Sequence, residues 1–241
     1  MKSKLLESIG LFNYTSGTEY NFRYRTVGSK VKDYMEDLLK KNNLNPDMIY
    51  SALQVHSNIV EDVNCDKSEE FIYGKIIKSV DGLITDKSNI ALVTKFADCT
   101  PVILFDPINK VQASVHSGWR GTKDKISEVA INKLVKEYNC KIENIYAFVG
   151  PSVDSELYEV GSEVYNEFSH FKNRDLFFNY KGNRKFLLDM KSINKSILLE
   201  NGLLNKNIEV STENTLSNRK FHSARRDAPD YGLNMTITMI K

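Results

Sequence analysis

The chain has 241 residues, of which 41% are hydrophobic and 27% charged, and its net charge is +2 at pH 7. These values are typical of a globular protein with a core, and the balanced charge argues against nucleic acid or an anionic membrane as a partner. No apolar run approaches the roughly 20 residues of a membrane span, and no signal-peptide cleavage site follows the N-terminal segment. Three cysteines do not make a disulfide framework. We therefore expect a cytoplasmic protein.

Periodicity predicts helices and strands mixed along one domain that spans residues 1–241. In chain order, the predicted elements are a helix over Val31–Leu39 ended by Asn42 and Asn43, strands over Ile90–Phe96, Val102–Phe105 and Val111–His116, a helix over Ile126–Tyr138, a strand over Ile145–Val149, helices over Ser162–Phe168 and Met190–Glu200, and a strand over Met235–Ile240. Thr122 is the predicted N-cap of the second helix, with Asp124 in its first turn. The turn DPINK between two central strands is typical of a hairpin, so we expect an α+β fold with mixed sheets.

Two histidines are predicted on the polar faces of strands, near the strand ends. In KVQASVHSG, alternation places His116 on the face opposite Val115, and in SALQVHSNIV it places Gln54 and His56 opposite Leu53. The turn SGWRG after His116 leads into a helix, whose first N–H groups favour an anion. There Arg120 either contacts the anion or forms a surface ion pair.

Cys99 lies between two predicted strands, in the stretch ADCTP. If its strand pairs with that of His116, two imidazoles and one thiolate converge as three ligands for zinc or copper, with an open fourth position. Such a metal would lower the pKa of bound water to about 7. The spacing matches no short metal motif, and the alternatives stay open: His56 as a strand-end histidine, and Cys99 as a buried apolar residue or a nucleophile activated by His116. Asp98 either orients a histidine or caps the turn.

Seven stretches occur in the order seen in one known family: QVHSNIV, DGLITD, ADCTPVILFDP, SVHSGWRGT, VGPSV, YEVGSEV and FHSARRD. From about Glu19 to the C-terminus, the chain resembles the multicopper polyphenol oxidase or laccase-domain family, whose members are now regarded as purine nucleoside phosphorylases with adenosine deaminase activity. The resemblance implies one zinc held by His56, Cys99 and His116, with copper also reported. It also implies β-sheets layered between helices (α/β/β/α), as in a group of bacterial cysteine-dependent toxin domains.

The same resemblance implies substrates and roles. The expected partners are phosphate and a purine nucleoside, either adenosine, inosine or methylthioadenosine, and the amino group of adenosine would also be hydrolysed. Gln54 and Asp98 are expected beside the substrate. From their charge and position in the sequence, rather than from the resemblance, we expect Arg120 or Arg226 to bind the phosphate. Arg226 and its neighbours can equally form a solvated ion-pair cluster.

Departures from the family pattern occur at the rim of the expected site. The usual Thr-Arg of the N-terminal arm reads YTSGTEYNFRYRT, with Arg23 and Arg25 nearby, a second family cysteine is missing from VSTENT, and Leu233 replaces an arginine. These changes motivate one rival hypothesis, a non-catalytic metal-binding module. Two further rivals are a copper-dependent oxidase of phenols and a hydrolase that edits peptidoglycan precursors. A multicopper oxidase needs many more histidines than the four in this chain.

Overall fold

The computed structural model describes residues 1–241, which form fifteen strands and eight α-helices. The strands are β1 (Leu11–Thr15), β2 (Met48–Leu53), β3 (Val60–Asp62), β4 (Ser68–Phe71), β5 (Gly74–Lys78), β6 (Gly82–Thr85), β7 (Ile90–Phe96), β8 (Thr100–Asp106), β9 (Val111–Ser117), β10 (Tyr146–Val149), β11 (Glu159–Gly161), β12 (Phe178–Gly182), β13 (Lys185–Leu188), β14 (Ile208–Val210) and β15 (Asn234–Ile240). The helices are α1 (Lys4–Ser8), α2 (Tyr24–Val27), α3 (Lys30–Lys41), α4 (Trp119–Lys123), α5 (Ile126–Glu137), α6 (Ser162–Glu167), α7 (Met190–Glu200) and α8 (Ala224–Asp227). None of these helices combines the length and the apolar character that a membrane span requires.

Two six-stranded sheets and one three-stranded sheet organise the chain. The first sheet has the order β1-β15-β7-β2-β5-β4, the second β14-β10-β8-β9-β6-β3, and the small one β11-β13-β12. Strand β2 runs parallel to β5 and β7, β3 to β6 and β10 to β14, while the remaining pairs are antiparallel. The sheets are mixed, which confirms the predicted α+β class.

The two large sheets lie between helical layers. Helix α3 buries Met35 in one apolar cluster with Val93 of β7, on the outside of the first sheet. Helix α5 buries Ala130 in another cluster with Ala113 of β9, on the outside of the second sheet. Between the sheets, the hydroxyls of Thr94 and Ser114 are 2.7 Å apart. This layering confirms the α/β/β/α prediction.

The hairpin of β8 and β9 forms through the predicted turn. Its antiparallel register opposes Pro101 to His116 and Thr100 to Ser117, so Cys99 comes next to the end of β9. The polar face of β9 is turned toward the first sheet, where the Gln112 amide donates to the Ile90 carbonyl at 2.9 Å. Buried polar groups of this kind need such partners, so the polar face of β9 lies inside the molecule.

The predicted N-cap at Thr122 is wrong. The SGWRG turn forms its own short helix α4 with Gly118 at the N-cap, and Thr122 lies inside it, with its hydroxyl 2.7 Å from that of Ser117. The following helix α5 begins after Lys125, whose φ of 53° turns the chain between the two helices.

Candidate metal centre

Three donor side chains converge where β8, β9 and the loop after β2 meet. The ligand atoms of His56, Cys99 and His116 all lie within 4.8 Å of one another, and they form the one group of three or more such residues in the chain with metal-binding geometry. The Cys99 Sγ lies 3.8 Å from the His56 Nε2, and the two imidazole rings are 5.0 Å apart at their centroids. Cys99 reaches the group through the hairpin register, and His116 through its place near the end of β9.

His56 reaches the same point from a loop, which corrects its predicted position on a strand. Strand β2 ends at Leu53, and His56 has a φ of 63°. The loop bends here because the Asp81 carboxylate accepts hydrogen bonds from the backbone N–H groups of Val55, His56 and Ser57, at 3.1, 3.0 and 2.7 Å. These bonds replace the ladder bonds that a longer strand would have made.

Asp81 also fixes the ring of His116. Its Oδ1 lies 2.9 Å from the His116 Nδ1, and Asp81 is 1% exposed. Burial raises the pKa of Asp81, but the bonds from His116 and Ser57 lower it to about 2. The carboxylate is therefore ionised, so Nδ1 must donate to it and Nε2 is the nitrogen left for a metal. Sequence reasoning missed Asp81, although it opens the DGLITD motif.

The thiol and the imidazole shift each other's ionisation. Burial raises the pKa of Cys99, but the neighbouring His116 and His56 lower it to about 6. Burial lowers the pKa of His116, but the Cys99 thiolate and the Asp81 carboxylate raise it to about 9. Cys99 is thus a thiolate at neutral pH, which is the form that binds metals.

Gly118 leaves space for the three side chains. A β-carbon at this position would lie 2.7 Å from the His56 Cδ2 and 3.0 Å from the Cys99 Sγ. Gly118 follows β9 directly, so the close approach comes from the same hairpin that positions Cys99. A larger residue here would push the donors apart.

The donor set suits zinc. In a tetrahedral site, with Zn–N near 2.0–2.1 Å and Zn–S near 2.3 Å, two nitrogens are about 3.3 Å apart and a nitrogen and a sulfur about 3.6 Å apart. The Cys99 Sγ and the His56 Nε2 are 3.8 Å apart, and all three ligand atoms lie within 4.8 Å of one another, so each needs to move by about 1 Å or less to reach this range. Two imidazoles and a thiolate are also ligands that copper accepts. Residues His56, Cys99 and His116 would therefore hold the metal and leave a fourth position open.

A cavity of about 610 Å³ opens beside these three residues and includes them in its wall. Aromatic side chains line much of it, among them Phe22, Tyr24, Phe71 and Tyr231. Apart from the three candidate metal ligands, its charged lining residues are Arg23, Arg25 and Lys95, and no carboxylate lies in the wall. The volume and the largely apolar wall are typical of small-molecule sites.

The polar groups of two residues expected to bind the substrate are hydrogen-bonded to other parts of the protein. Gln54 lines the cavity, but its Nε2 donates to the Lys95 carbonyl at 2.7 Å and its Oε1 accepts from the Lys95 N–H at 2.9 Å. Asp98 accepts from the hydroxyls of Thr215 and Ser223 at 2.7 and 2.9 Å, and from the N–H of Arg225 at 2.8 Å. Asp98 therefore anchors the C-terminal segment, and the carboxylate that orients a histidine is Asp81.

Neither of the two expected phosphate-binding arginines lines the cavity. The exposed Arg120 stacks its guanidinium 4.2 Å from the ring centroid of Trp119. Arg226 pairs with Asp227 at 2.7 Å and donates to the carbonyls of Thr215, Leu216 and Phe221. A role for either in substrate binding stays a prediction. Sequence reasoning gave no role to Lys95, which does line the cavity.

Comparison with known proteins finds relatives over most of the chain. The family described as multi-copper polyphenol oxidoreductase laccase matches residues 16–241. A Bacillus subtilis (strain 168) protein named purine nucleoside phosphorylase YlmD is 29% identical over 231 residues, which cover 91% of this chain and 83% of that protein. Adenosine deaminase RL5, from an unknown prokaryotic organism, is 30% identical over 153 residues, covering 62% and 58%.

A solved structure agrees with the fold as well. The crystal structure of the hypothetical protein YfiH from Bacillus licheniformis matches with a TM-score of 0.86 at 25% identity, covering 92% of this chain and 85% of that one. Together with the match over residues 16–241, this confirms the resemblance first indicated by the motifs. The chain belongs to the multi-copper polyphenol oxidoreductase laccase family.

Proposed function

We propose that the protein is a zinc-dependent purine nucleoside phosphorylase that also deaminates adenosine. The observation that carries the proposal is the donor set of His56, Cys99 and His116 in the wall of a cavity with aromatic and cationic lining. The names of the relatives, a purine nucleoside phosphorylase and an adenosine deaminase, support the same two reactions. Adenosine, inosine and methylthioadenosine are the expected nucleosides.

The cavity wall matches the chemistry of a nucleoside and an anion. The rings of Phe22, Phe71 and Tyr231 offer apolar faces against which a purine can stack. The positive side chains and the lack of a carboxylate in the wall favour the phosphate that phosphorolysis needs. An oxygen of phosphate would bond to C1′ of the ribose as the bond from C1′ to the purine nitrogen breaks. The purine would take up the proton that the phosphate gives up, so the products are ribose 1-phosphate and the free base.

Zinc, when bound, would act as a Lewis acid and make water a nucleophile at neutral pH, which suits attack on purine C6 with release of ammonia. The residues of the chain hold the three metal ligands in position and in the protonation state that binds a metal. Asp81 holds the His116 ring with Nδ1 protonated, and it holds the His56 loop through backbone bonds. The neighbouring imidazoles keep Cys99 in its thiolate form.

The copper-dependent oxidase is less well supported by this site. Multicopper oxidases pass electrons between several coppers, whereas this chain has four histidines and one cluster with metal-binding geometry. A single copper at the same three residues is chemically compatible with the donors, so metal analysis of the purified protein separates the two metals. The precursor-editing hydrolase and the non-catalytic module are outcomes of the activity test.

The activity test is chromatography of adenosine incubated with the zinc-loaded protein, with and without phosphate. Phosphate-dependent adenine indicates the phosphorylase, and inosine indicates the deaminase. Cys99→Ala removes a donor and is expected to abolish both products, whereas Cys65→Ala, at a cysteine outside the cavity, is the matched control. Neither adenine nor inosine from the wild-type protein would reject the proposal.

A further inference from the structure

Lys95 lines the cavity from a position near the end of β7 where its backbone is held in place. It belongs to β7, and alternation puts it on the same face as Ala91 and Val93, which pack in the cluster with α3. Near the end of the strand this face becomes the cavity wall, and Lys95 lines it. The backbone of Lys95 is fixed by both polar atoms of the Gln54 amide. Its Cα position is therefore set independently of any ligand.

The ammonium group of Lys95 has no partner in the protein. No side chain or carbonyl accepts a hydrogen bond from its Nζ, which lies 5.9 Å from the centroid of the Phe71 ring. The contrast is Lys191, a buried lysine whose Nζ donates to Asp154 at 2.6 Å and to the Glu213 carbonyl at 2.7 Å. Burying part of a cation without a counter-charge costs free energy. An anionic ligand that pairs with Lys95 would offset this cost.

The two arginines of the cavity wall are placed differently. Arg23 donates to the carbonyls of Pro229 and Tyr231 at 3.0 and 2.9 Å, and its guanidinium stacks 3.8 Å from the Tyr231 ring centroid. Arg25 is exposed at the rim. Lys95 is thus the one cation of the wall that is both partly buried and unpaired.

We propose that the ammonium group of Lys95 binds a phosphate group inside the cavity. The inference rests on the proposed function for the identity of the ligand as the phosphate that attacks the nucleoside. The same recognition chemistry would suit the 5′-phosphate of a nucleotide, and the experiment separates the two sources. Burial lowers the pKa of Lys95 to about 8, so the group still carries its charge at pH 7.

The test is isothermal titration of the zinc-loaded protein with inorganic phosphate, adenosine 5′-monophosphate and, as a neutral ligand, adenosine. Lys95→Met keeps the length of the side chain without its charge, and Lys95→Arg keeps the charge. Lys87→Met, in an exposed loop, is the matched control, and Arg120→Ala tests the competing site. We expect Lys95→Met to weaken phosphate binding about tenfold or more, while adenosine affinity changes less than threefold and Lys95→Arg retains most phosphate binding.

Thermal unfolding shows whether the Lys95→Met variant is folded. Removing an unpaired, partly buried charge is expected to leave the melting temperature of Lys95→Met equal to or above that of the wild type. Unchanged phosphate affinity in Lys95→Met, equal loss in Lys95→Arg, or loss in Arg120→Ala alone would overturn the inference. The absence of binding of both phosphate ligands to the wild type would overturn it as well.

The titrations with different ligands also distinguish a failure of this inference from a failure of the proposed function. Weakened binding of inorganic phosphate in Lys95→Met supports the role of Lys95 even when the wild type makes no adenine, a result that would reject only the phosphorylase. If the wild type binds the nucleotide and not inorganic phosphate, and Lys95→Met loses that binding, the site belongs to a nucleotide phosphate. That outcome also keeps Lys95 as the binding residue and rejects phosphorolysis.

Discussion

Asp81→Asn tests whether one buried carboxylate holds the candidate metal centre together. Both carboxylate oxygens are surrounded by donors: Oδ1 faces the N–H groups of His56 and His116, and Oδ2 faces the N–H groups of Val55 and Ser57 and the Ser57 hydroxyl. An asparagine must point its NH₂ at one of these sets. We therefore expect the variant to lose stability and metal affinity together, although the two side chains have almost the same shape.

The magnitude follows from the number of donors left without an acceptor. The loss is smaller when the NH₂ lies on the Oδ1 side. There the buried His116 Nδ1–H and the partly buried His56 N–H lose their acceptor, at about 1–3 kcal/mol each, while relief from burying a charge offsets part of this. The lowering of the Asp81 pKa from 3.8 to about 2 corresponds to roughly 2–3 kcal/mol. A loss of about 3 kcal/mol lowers the melting temperature of a domain of this size by about 6–12 °C. Loss of the partner of a ligating histidine weakens metal binding about 10–100-fold.

Thermal unfolding of the metal-free protein and competition with a zinc chelator measure the two effects separately. Asp86→Asn, at an exposed residue of the same segment, is the control and is expected to match the wild type in both. The pH dependence of the folding stability also follows. A carboxyl whose pKa is lowered on folding stabilises the protein above its unfolded pKa, so the contribution of Asp81 is lost as pH falls from about 3.8 through about 2. Wild-type stability and zinc affinity in Asp81→Asn would refute the reasoning.

Three further variants or treatments probe the same site. Gly118→Ala brings a β-carbon 2.7 Å from the His56 Cδ2 and 3.0 Å from the Cys99 Sγ. The zinc content of the purified variant is therefore expected to fall well below one ion per chain. Full zinc occupancy would contradict the close packing at Gly118. Asp98→Ala removes the acceptor for Thr215, Ser223 and the Arg225 N–H, so urea unfolding should show a loss of about 1–3 kcal/mol with zinc content unchanged; a loss of zinc without a loss of stability would assign Asp98 to the metal instead. Chelation of the metal is expected to abolish nucleoside turnover and lower the melting temperature, because a ligand bound only by the native state stabilises it, and zinc should restore both; turnover by the metal-free protein would exclude a role for the metal.

Much of the fold is local enough to be predicted from the chain itself. Strand β7 and helix α7 have the predicted bounds, and alternation along β9 separates the residues packed against α5 from those turned toward the other sheet. The errors lie where a tertiary bond overrides local preference. His56 leaves the strand pattern because Asp81, 25 positions away in sequence, accepts its N–H, and no periodicity in QVHSN signals such a bond.

The anion-binding side chains show the same limit. Arg120 and Arg226 stand in motifs rich in charge, which made them the natural candidates, but Arg226 is held by Asp227 and three carbonyls, and Arg120 stacks on Trp119 outside the cavity. Lys95 lies in an apolar strand and gave no signal of its own. Whether a cation is free depends on which acceptors surround it, and these come from distant segments.

Side-chain chemistry and spacing in the sequence alone point to an α+β chain with a thiol and two imidazoles as candidate ligands, because periodicity and donor type are properties of short segments. The folded molecule adds what no short segment contains. The hairpin register brings Cys99 beside the end of β9, Asp81 orients His116 and bends the loop of His56, and the outer face of the first sheet carries Lys95 into a cavity wall without a carboxylate. Each of these arises from contacts between residues far apart in sequence, whose distances are defined only when the whole chain folds.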